Sequence, residues 1–556
     1  MINLNTNTVQ SQTERVIEFI CLLILAALFF VQRVAAQEGI KGNLVDVNWL
    51  EKNLNNSEIV LLDASPSQVY KEKHIPGAIN YDIFLYGIRE MPVAEIEKRY
   101  QSCGISPGKK IVMYDEGGSI MATRMFFSFY YDGFPAKDLF ILDGGLYKWQ
   151  EEGLAVTNQT TPLPGNGTFK IEKFNENAKA ELPEFLTASG DLDKNVLVEA
   201  LSPDWHFGGL PFFNKPGHIP NAVMLSSSDL YKQDKTFKSP EEIKKMLAYL
   251  KIKPEQNIYT HCGGGIAASV PFFALKFILG YPDVKLFQGS LLEWISDQRD
   301  LPVWTYDAPY LMRDTKWMQF RGGQKARMYG ISHVTLLDVR SSVEFARGHL
   351  PSSINIPYDV FKNNITNPAK LAGILGETGV NADDEIVVVS GAGLTRESAL
   401  VFAVLEKLGQ KKVSVYIDSI DKWIQNGNSL IKDTTSAAAK HVSGVPITTY
   451  PMNLQEGVII TDTGSTHGWY PKVFMACSKN IPVNLKEETV VHIPYNNLLN
   501  KDSSPKEAKD IWNILSNAGI PRYAELVCCS DDPGEAAVNY FILKLMGFPD
   551  IKLLVN

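Results

Sequence analysis

Tyr259-Thr260-His261-Cys262-Gly263-Gly264-Gly265-Ile266-Ala267-Ala268-Ser269 reads as the end of a strand, a tight loop and the start of a helix. Apolar Ile258 and Tyr259 lead in, and Val270, Phe272, Phe273, Leu275, Phe277, Ile278 and Leu279 follow at helical spacing. Cys262 stands where the strand gives way to the loop. Three successive glycines let the backbone fold round the sulfur, because glycine reaches conformations closed to other residues. Several amide N–H groups then point at one spot beside a helix N-terminus, an arrangement that favours negative charge. A sulfur placed there is expected to react as the thiolate. Gly263, Gly264, Gly265, Ile266 and Ala267 are the expected cradle for a persulfide or a substrate anion.

Working outward, the same landmarks recur four times in 556 residues. An apolar strand ends in an acid at Asp63, Glu199, Asp338 and Asp462. A His-Ile-Pro type turn follows at His74, His218 and His349, blurred to Asn480-Ile481-Pro482 in the last copy. A strand then runs into a loop and an apolar helix at Asp115, Cys262, Ser390 and Cys529. A further strand and a Trp-bearing helix close the first three copies at Trp149, Trp294 and Trp423, whereas the fourth stops after Leu553-Leu554-Val555. Strands alternating with helices at this spacing predict α/β units with parallel sheets. Polar, Pro- or Gly-rich stretches at 158–167, 306–327 and 433–449 set the boundaries. Four domains are expected, at 42–158, 190–306, 325–433 and 450–556.

Taken together these landmarks resemble the rhodanese family of sulfurtransferases. The carrying residues are the acid-ended strand, the His-Ile-Pro turn, Leu142-Asp143-Gly144-Gly145 with Trp149, and the Cys262 loop. The resemblance implies a small parallel sheet with helices on both faces in each domain. It makes the first pair similar to a tandem thiosulfate or 3-mercaptopyruvate sulfurtransferase, in which an inactive domain precedes a Cys-bearing one. The implied chemistry needs no metal and no cofactor: a thiolate takes the outer sulfur of a donor and passes it to cyanide, a thiol or a carrier protein. The neutral loop after Cys262 leans to mercaptopyruvate. The family's substrate-binding arginines usually lie in the segment that here is 201–217, which has no Arg and offers His206 and Lys215; Lys215 is the candidate anion contact.

The loop residues sort the copies. A helix-end glycine follows each at Gly133, Gly280, Gly409 and Gly547, and counting back from it puts Asp115, Cys262, Ser390 and Cys529 in the nucleophile slot. A carboxylate cannot carry sulfane sulfur, and a serine cannot form a persulfide. Asp531 and Asp532 are expected to place negative charge against Cys529. That leaves Cys262. His74, His218 and His349 recur without a catalytic Cys and are read as structural, like Asp63, Glu199 and Arg124, though Asp63 could reach the Cys262 loop.

The formal net charge of −8 argues against nucleic acid as a partner. Six Cys without CxxC spacing argue against a structural zinc site. Thirteen apolar residues from Phe19 to Val31, followed by Val34-Ala35-Ala36, read as a signal peptide over 1–36. Export to the periplasm or outside the cell is expected, with membrane attachment through residues 16–36 if the segment is not cleaved. Two other functions fit less well. A phosphatase needs Arg six positions after its Cys, where Ala268 stands. A non-catalytic sulfur carrier or anion-binding scaffold would use the three degenerate copies to bind partners.

Overall fold

The computed structural model describes residues 39–88, 91–210, 214–323, 325–326, 329–432, 449–464, 468, 470–478 and 490–555. The expected signal segment and the Asn480-Ile481-Pro482 turn lie outside them. Among the described residues no helix is long and apolar enough to cross a membrane.

Four sheets repeat one strand order. Across the third sheet the strands run Met312–Arg313, Lys412–Tyr416, Glu385–Val389, Val334–Asp338 and Ser353–Asn355. The fourth runs Ile459–Ile460, Ile551–Leu554, Glu525–Cys529, Lys472–Ala476 and Val490–His492. The second runs Lys179–Ala180, Val284–Phe287, Asn257–His261, Asn195–Glu199 and Val223–Met224. The first keeps the order as Leu44–Val45, Leu139–Leu142, Lys110–Tyr114, Ile59–Asp63 and Ile79–Asn80, with Ile40–Lys41 added antiparallel at its edge. The central strands pair in parallel and are buried along most of their length. Hence they read as continuous Val, Ile and Leu runs instead of alternating.

Two boundaries move. The outer strand of the second sheet begins at Lys179 and that of the third at Met312, ahead of the expected 190 and 325. The stretch 306–327 is therefore not all linker: it holds a strand and the helix Thr315–Phe320, capped by Asp314 accepting from Trp317 N–H. A two-residue edge strand has too few positions to show a period. The fourth copy is also corrected. Ile459–Ile460 is the outer edge strand, paired with Ile551–Leu554. The strand matching Ile59–Asp63 is Lys472–Ala476, so Ala476, not Asp462, holds the acid position.

The chain divides into two compact units. The first comprises Met1–Leu201, Leu225–Ile243 and Pro254–Ser290; the second comprises Ser202–Met224, Lys244–Lys253 and Leu291–Asn556. Within the first, the helix Met121–Tyr131 packs on Ser269–Phe273 through edge-to-face rings, Phe126 with Phe273 at 4.9 Å and Phe127 with Phe272 at 5.1 Å. Within the second, Arg396–Lys407 packs on Pro533–Leu545 with Phe402 and Phe541 at 5.0 Å. Copies one and two, and copies three and four, are thus joined by the same pair of helices. Phe207 and Met224 of copy two belong to the apolar core of the second unit, which is why the unit boundary cuts through that copy.

The recurring side chains fasten turns. His74 and His349 stack on Tyr70 and Phe345 at 3.7 Å, and each ring Nδ1 donates to the carbonyl of that same residue. The Trp149, Trp294 and Trp423 indoles donate to the carbonyls of Ala155, Pro302 and Ser429. Asp63 and Asp338 accept from the N–H two residues on, at Ser65 and Arg340. Asp63 is turned back on its own loop.

Candidate active site

In copy two the strand Asn257–His261 ends at the sheet's C-terminal edge, where α/β sheets place their sites. Cys262 comes next and is 2% exposed. The Gly265 N–H donates to its sulfur at 3.1 Å. Gly265 has φ +85°, and a Cβ there would stand 2.3 Å from the Gln288 carbonyl oxygen, so only glycine can turn this N–H inward. Cys262 N–H donates to Ser290 Oγ at 3.0 Å, and Ser290 O–H donates to the Phe287 carbonyl at 2.8 Å. The Ser290 oxygen lies 4.0 Å from the sulfur. Ser290 takes φ +52°, a conformation a serine adopts only when its surroundings impose it. Gly263 and Gly265 are buried, Ile266 and Ala267 half-buried, and Gly264 exposed at the crest.

Of the loop residues expected from sequence, Gly265 is the one whose N–H donates to the sulfur. Lys215 is described apart from that loop. It belongs to the second unit, where its ammonium pairs with Asp300. His206, from the same segment, stacks on His218 at 3.7 Å and pairs with Asp307 at 2.6 Å, also in the second unit.

Two residues escaped the sequence. Ser290 follows Gly289 where copy one has Gly144-Gly145, and Gly145 has a matching φ of +54°; a serine in a glycine's place was the available signal. Arg124 is 3% exposed, on the copy-one helix Met121–Tyr131. Its Nε donates to the Gly87 carbonyl at 2.9 Å and its Nη1 to the Gly265 carbonyl at 3.2 Å. Burial lowers the guanidinium to about 10, against the opposing pull of Cys262 and Asp132.

The slots of copies one and three are filled from within. Asp115 accepts from Gly117, Met121 and Ala122 N–H at 2.9, 3.1 and 2.9 Å, so the cradle closes on its own carboxylate. Burial lifts that carboxyl to about 6. Ser390 O–H donates to the Gly393 carbonyl at 2.6 Å, the reverse polarity to Cys262. Both loops are also bonded to the neighbouring copy: Tyr231 O–H donates to the Ser119 carbonyl, and Leu394 N–H to the Ser503 carbonyl.

Sheet register corrects the fourth slot. Glu199 aligns with His261, Asp63 with Tyr114, Asp338 with Val389, and Ala476 with Cys529. Cys529 thus corresponds to His261, and Ser530 holds the slot. The loop lengths differ between copies, so counting from the helix-end glycine slipped by one residue, and a one-residue slip reverses a strand side chain's face. The Cys529 sulfur lies 3.2 Å from the Met475 carbonyl in an apolar cluster, and burial pushes its thiol far above the ordinary value. Asp532 does not face it: it caps its own helix at Gly534 N–H and pairs with Arg396 at 2.8 Å. Arg396 stands six positions after Ser390, the spacing a phosphatase needs, but it is engaged with Asp532.

Known proteins are similar to this chain in sequence. The model of the rhodanese-like domain matches residues 46–152, 183–297 and 324–426, together more than half of the chain. The sulfur carrier protein TtuD of Thermus thermophilus is 29% identical over 45% of this chain and 93% of its own length. A probable 3-mercaptopyruvate sulfurtransferase of Pseudomonas aeruginosa is 29% identical over 48% of this chain and 99% of its own. The solved 3-mercaptopyruvate sulfotransferase SseA of Escherichia coli is 26% identical, with a TM-score of 0.41 over 45% of this chain and 99% of that one. Repeated small parallel sheets of one strand order, with the family model matched on three of them, make this chain a member of the rhodanese-like domain family.

Proposed function

We propose that this chain is a sulfurtransferase that carries sulfane sulfur as a persulfide on Cys262. The supporting observation is the Gly265 N–H on the sulfur at 3.1 Å, in a slot whose counterparts in copies one and three, Asp115 and Ser390, bond within their own loops. A backbone donor fixed on the sulfur stabilises charge there and on an outer sulfur bonded to it. The thiolate attacks the outer sulfur of thiosulfate; the S–S bond breaks and sulfite leaves with the electron pair. With 3-mercaptopyruvate the C–S bond breaks and pyruvate leaves. Cyanide, a thiol or a carrier protein then attacks the outer sulfur and the thiolate returns, a two-step covalent cycle. The likeness to relatives named for mercaptopyruvate favours that donor. Export through residues 1–36 belongs to the same proposal.

A second function, sulfur carriage without turnover to small acceptors, is favoured by the likeness to a protein named as a sulfur carrier. One experiment separates them. The protein is incubated with thiosulfate or 3-mercaptopyruvate and the Cys262 peptide weighed by mass spectrometry, then cyanide is added. Gain of one sulfur by wild type but not by Cys262→Ala, with release as thiocyanate, supports the enzyme. Gain without release supports the carrier. No gain from either donor overturns both.

A further inference from the structure

Copy one has no catalytic sulfur, yet it sends a buried charge into copy two. Among the described residues the Arg124 guanidinium hydrogen-bonds to two neutral carbonyls, Gly87 and Gly265. Among the described residues no carboxylate oxygen lies within salt-bridge distance of it. Asp132 acts on it from beyond pairing distance, and a buried charge with no paired counter-charge costs several kcal/mol. In the second pair Arg396, an exposed residue at the start of the helix Arg396–Lys407 of copy three, pairs with Asp532 of copy four at 2.8 Å. In the first pair the loop that receives the arginine has no acid; it has Cys262.

We propose that Arg124 is a positioning residue contributed by copy one to the sulfur site of copy two: it grips the Gly265 carbonyl, holding that residue's N–H on the sulfur, and supplies the cation that balances the Cys262 anion. This rests on Cys262 being the sulfur carrier. It accounts for the neutral loop, since Gly263 to Ala267 need carry no basic residue if the charge arrives from the neighbouring copy. The guanidinium also borders a cavity of about 280 Å³ with Lys179, Phe127, Tyr131, Asp132 and Gln288. A donor anion entering from that side meets the same positive charge.

The test reads the sulfur without any donor, so it stands apart from turnover. Iodoacetamide alkylation of the Cys262 peptide is followed across pH by mass spectrometry in the full-length protein. Cys103, Cys477 and Cys529 serve as internal standards, because burial pushes their thiols up. Arg124→Gln keeps a hydrogen-bond donor and removes the charge; Arg124→Lys keeps the charge. We expect the Gln variant to be alkylated about tenfold more slowly at neutral pH, with its profile moved to higher pH, the size of effect one nearby charge produces. The Lys variant should track wild type in profile. If Gln and Lys behave alike, whether both slow or both normal, the charge role is overturned. Normal alkylation of wild type together with no sulfur uptake would instead sink the enzyme and leave Arg124 in place.

Discussion

At the scale of single residues, the site rests on one serine. Ser290 accepts the Cys262 N–H and hands its own proton to the Phe287 carbonyl, so it fixes where the strand end stands relative to the next strand. Ser290→Ala leaves the Cys262 N–H buried without that acceptor, at a cost of about 1–3 kcal/mol. It keeps the left-handed φ of +52°, which strains alanine as it strains serine. Ser290→Gly loses the same hydrogen bond but relieves the backbone. Sulfur uptake should therefore fall in both variants, by about tenfold or more as the loop shifts. The Ala variant should melt below the Gly variant. Thermal unfolding beside single-turnover sulfur uptake checks both; a Gly variant less stable than the Ala variant would show that the strain argument is wrong.

At the scale of the element, the strand–loop–helix unit makes two adjacent glycines unequal. A Cβ at Gly265 would collide with the Gln288 carbonyl at 2.3 Å, in a backbone conformation with φ +85°. A Cβ at Gly264 would meet nothing within 4 Å. Gly265→Ala should lose sulfur uptake and about 1–3 kcal/mol of stability, whereas Gly264→Ala should keep both. Parallel kinetics and melting of the two variants decide it; equal losses would mean that the loop needs flexibility and not this one turn. The three glycines were legible in the sequence as a cradle, but not which of them does the turning. That depends on the neighbouring strand's carbonyl, and no local pattern encodes it. The apolar runs of the central strands were legible for the same reason they are stable, since both faces are covered by helices. Two-residue edge strands and loop lengths were not. Those two gaps explain the early boundaries at Lys179 and Met312, the misplaced acid strand at Asp462, and the assignment of Cys529 to a slot that Ser530 occupies. Arg124 was visible but had no reason to be singled out, because its meaning lies in a contact between two copies distant in sequence.

At the scale of the whole molecule, each unit carries its own response to acid, and the two differ in sign. In the first unit burial lifts the carboxyls of Asp115, Asp132 and Asp143 to about 6 and raises Asp63. The unfolded chain releases these protons near pH 4. Between about 4 and 6 the folded unit therefore binds more protons than the unfolded chain, and its stability falls as pH rises through that window. The lowered carboxyls of that unit, Asp234 and Glu242, lie at the surface, where solvent screens them. In the second unit Asp307 faces His206 at 2.6 Å and His218 at 3.5 Å, with Arg522 nearby. Burial alone would raise its carboxyl, but these partners outweigh it and hold it below the ordinary value. Stability from Asp307 is thus complete above about pH 4 and lost as pH falls through its folded value. Asp307 also stands against Gly547, with Ala308 N–H donating to the Leu545 carbonyl, so it fastens the end of copy two to copy four. Urea unfolding read by hydrogen exchange resolves the two, with peptides 110–131 reporting the first unit and 525–545 the second. From about pH 6.5 to about 4.5 the first unit's midpoint should rise; from about 4.5 to about 3 the second unit's should fall. Asp307→Asn should lower the second unit's midpoint at neutral pH, by an amount that shrinks toward pH 3 and leaves the first unit unmoved. A first-unit midpoint that falls steadily from pH 6.5 downward would show that its buried carboxyls are matched by cations, leaving the closed cradle of Asp115 without the electrostatic cost assigned to it.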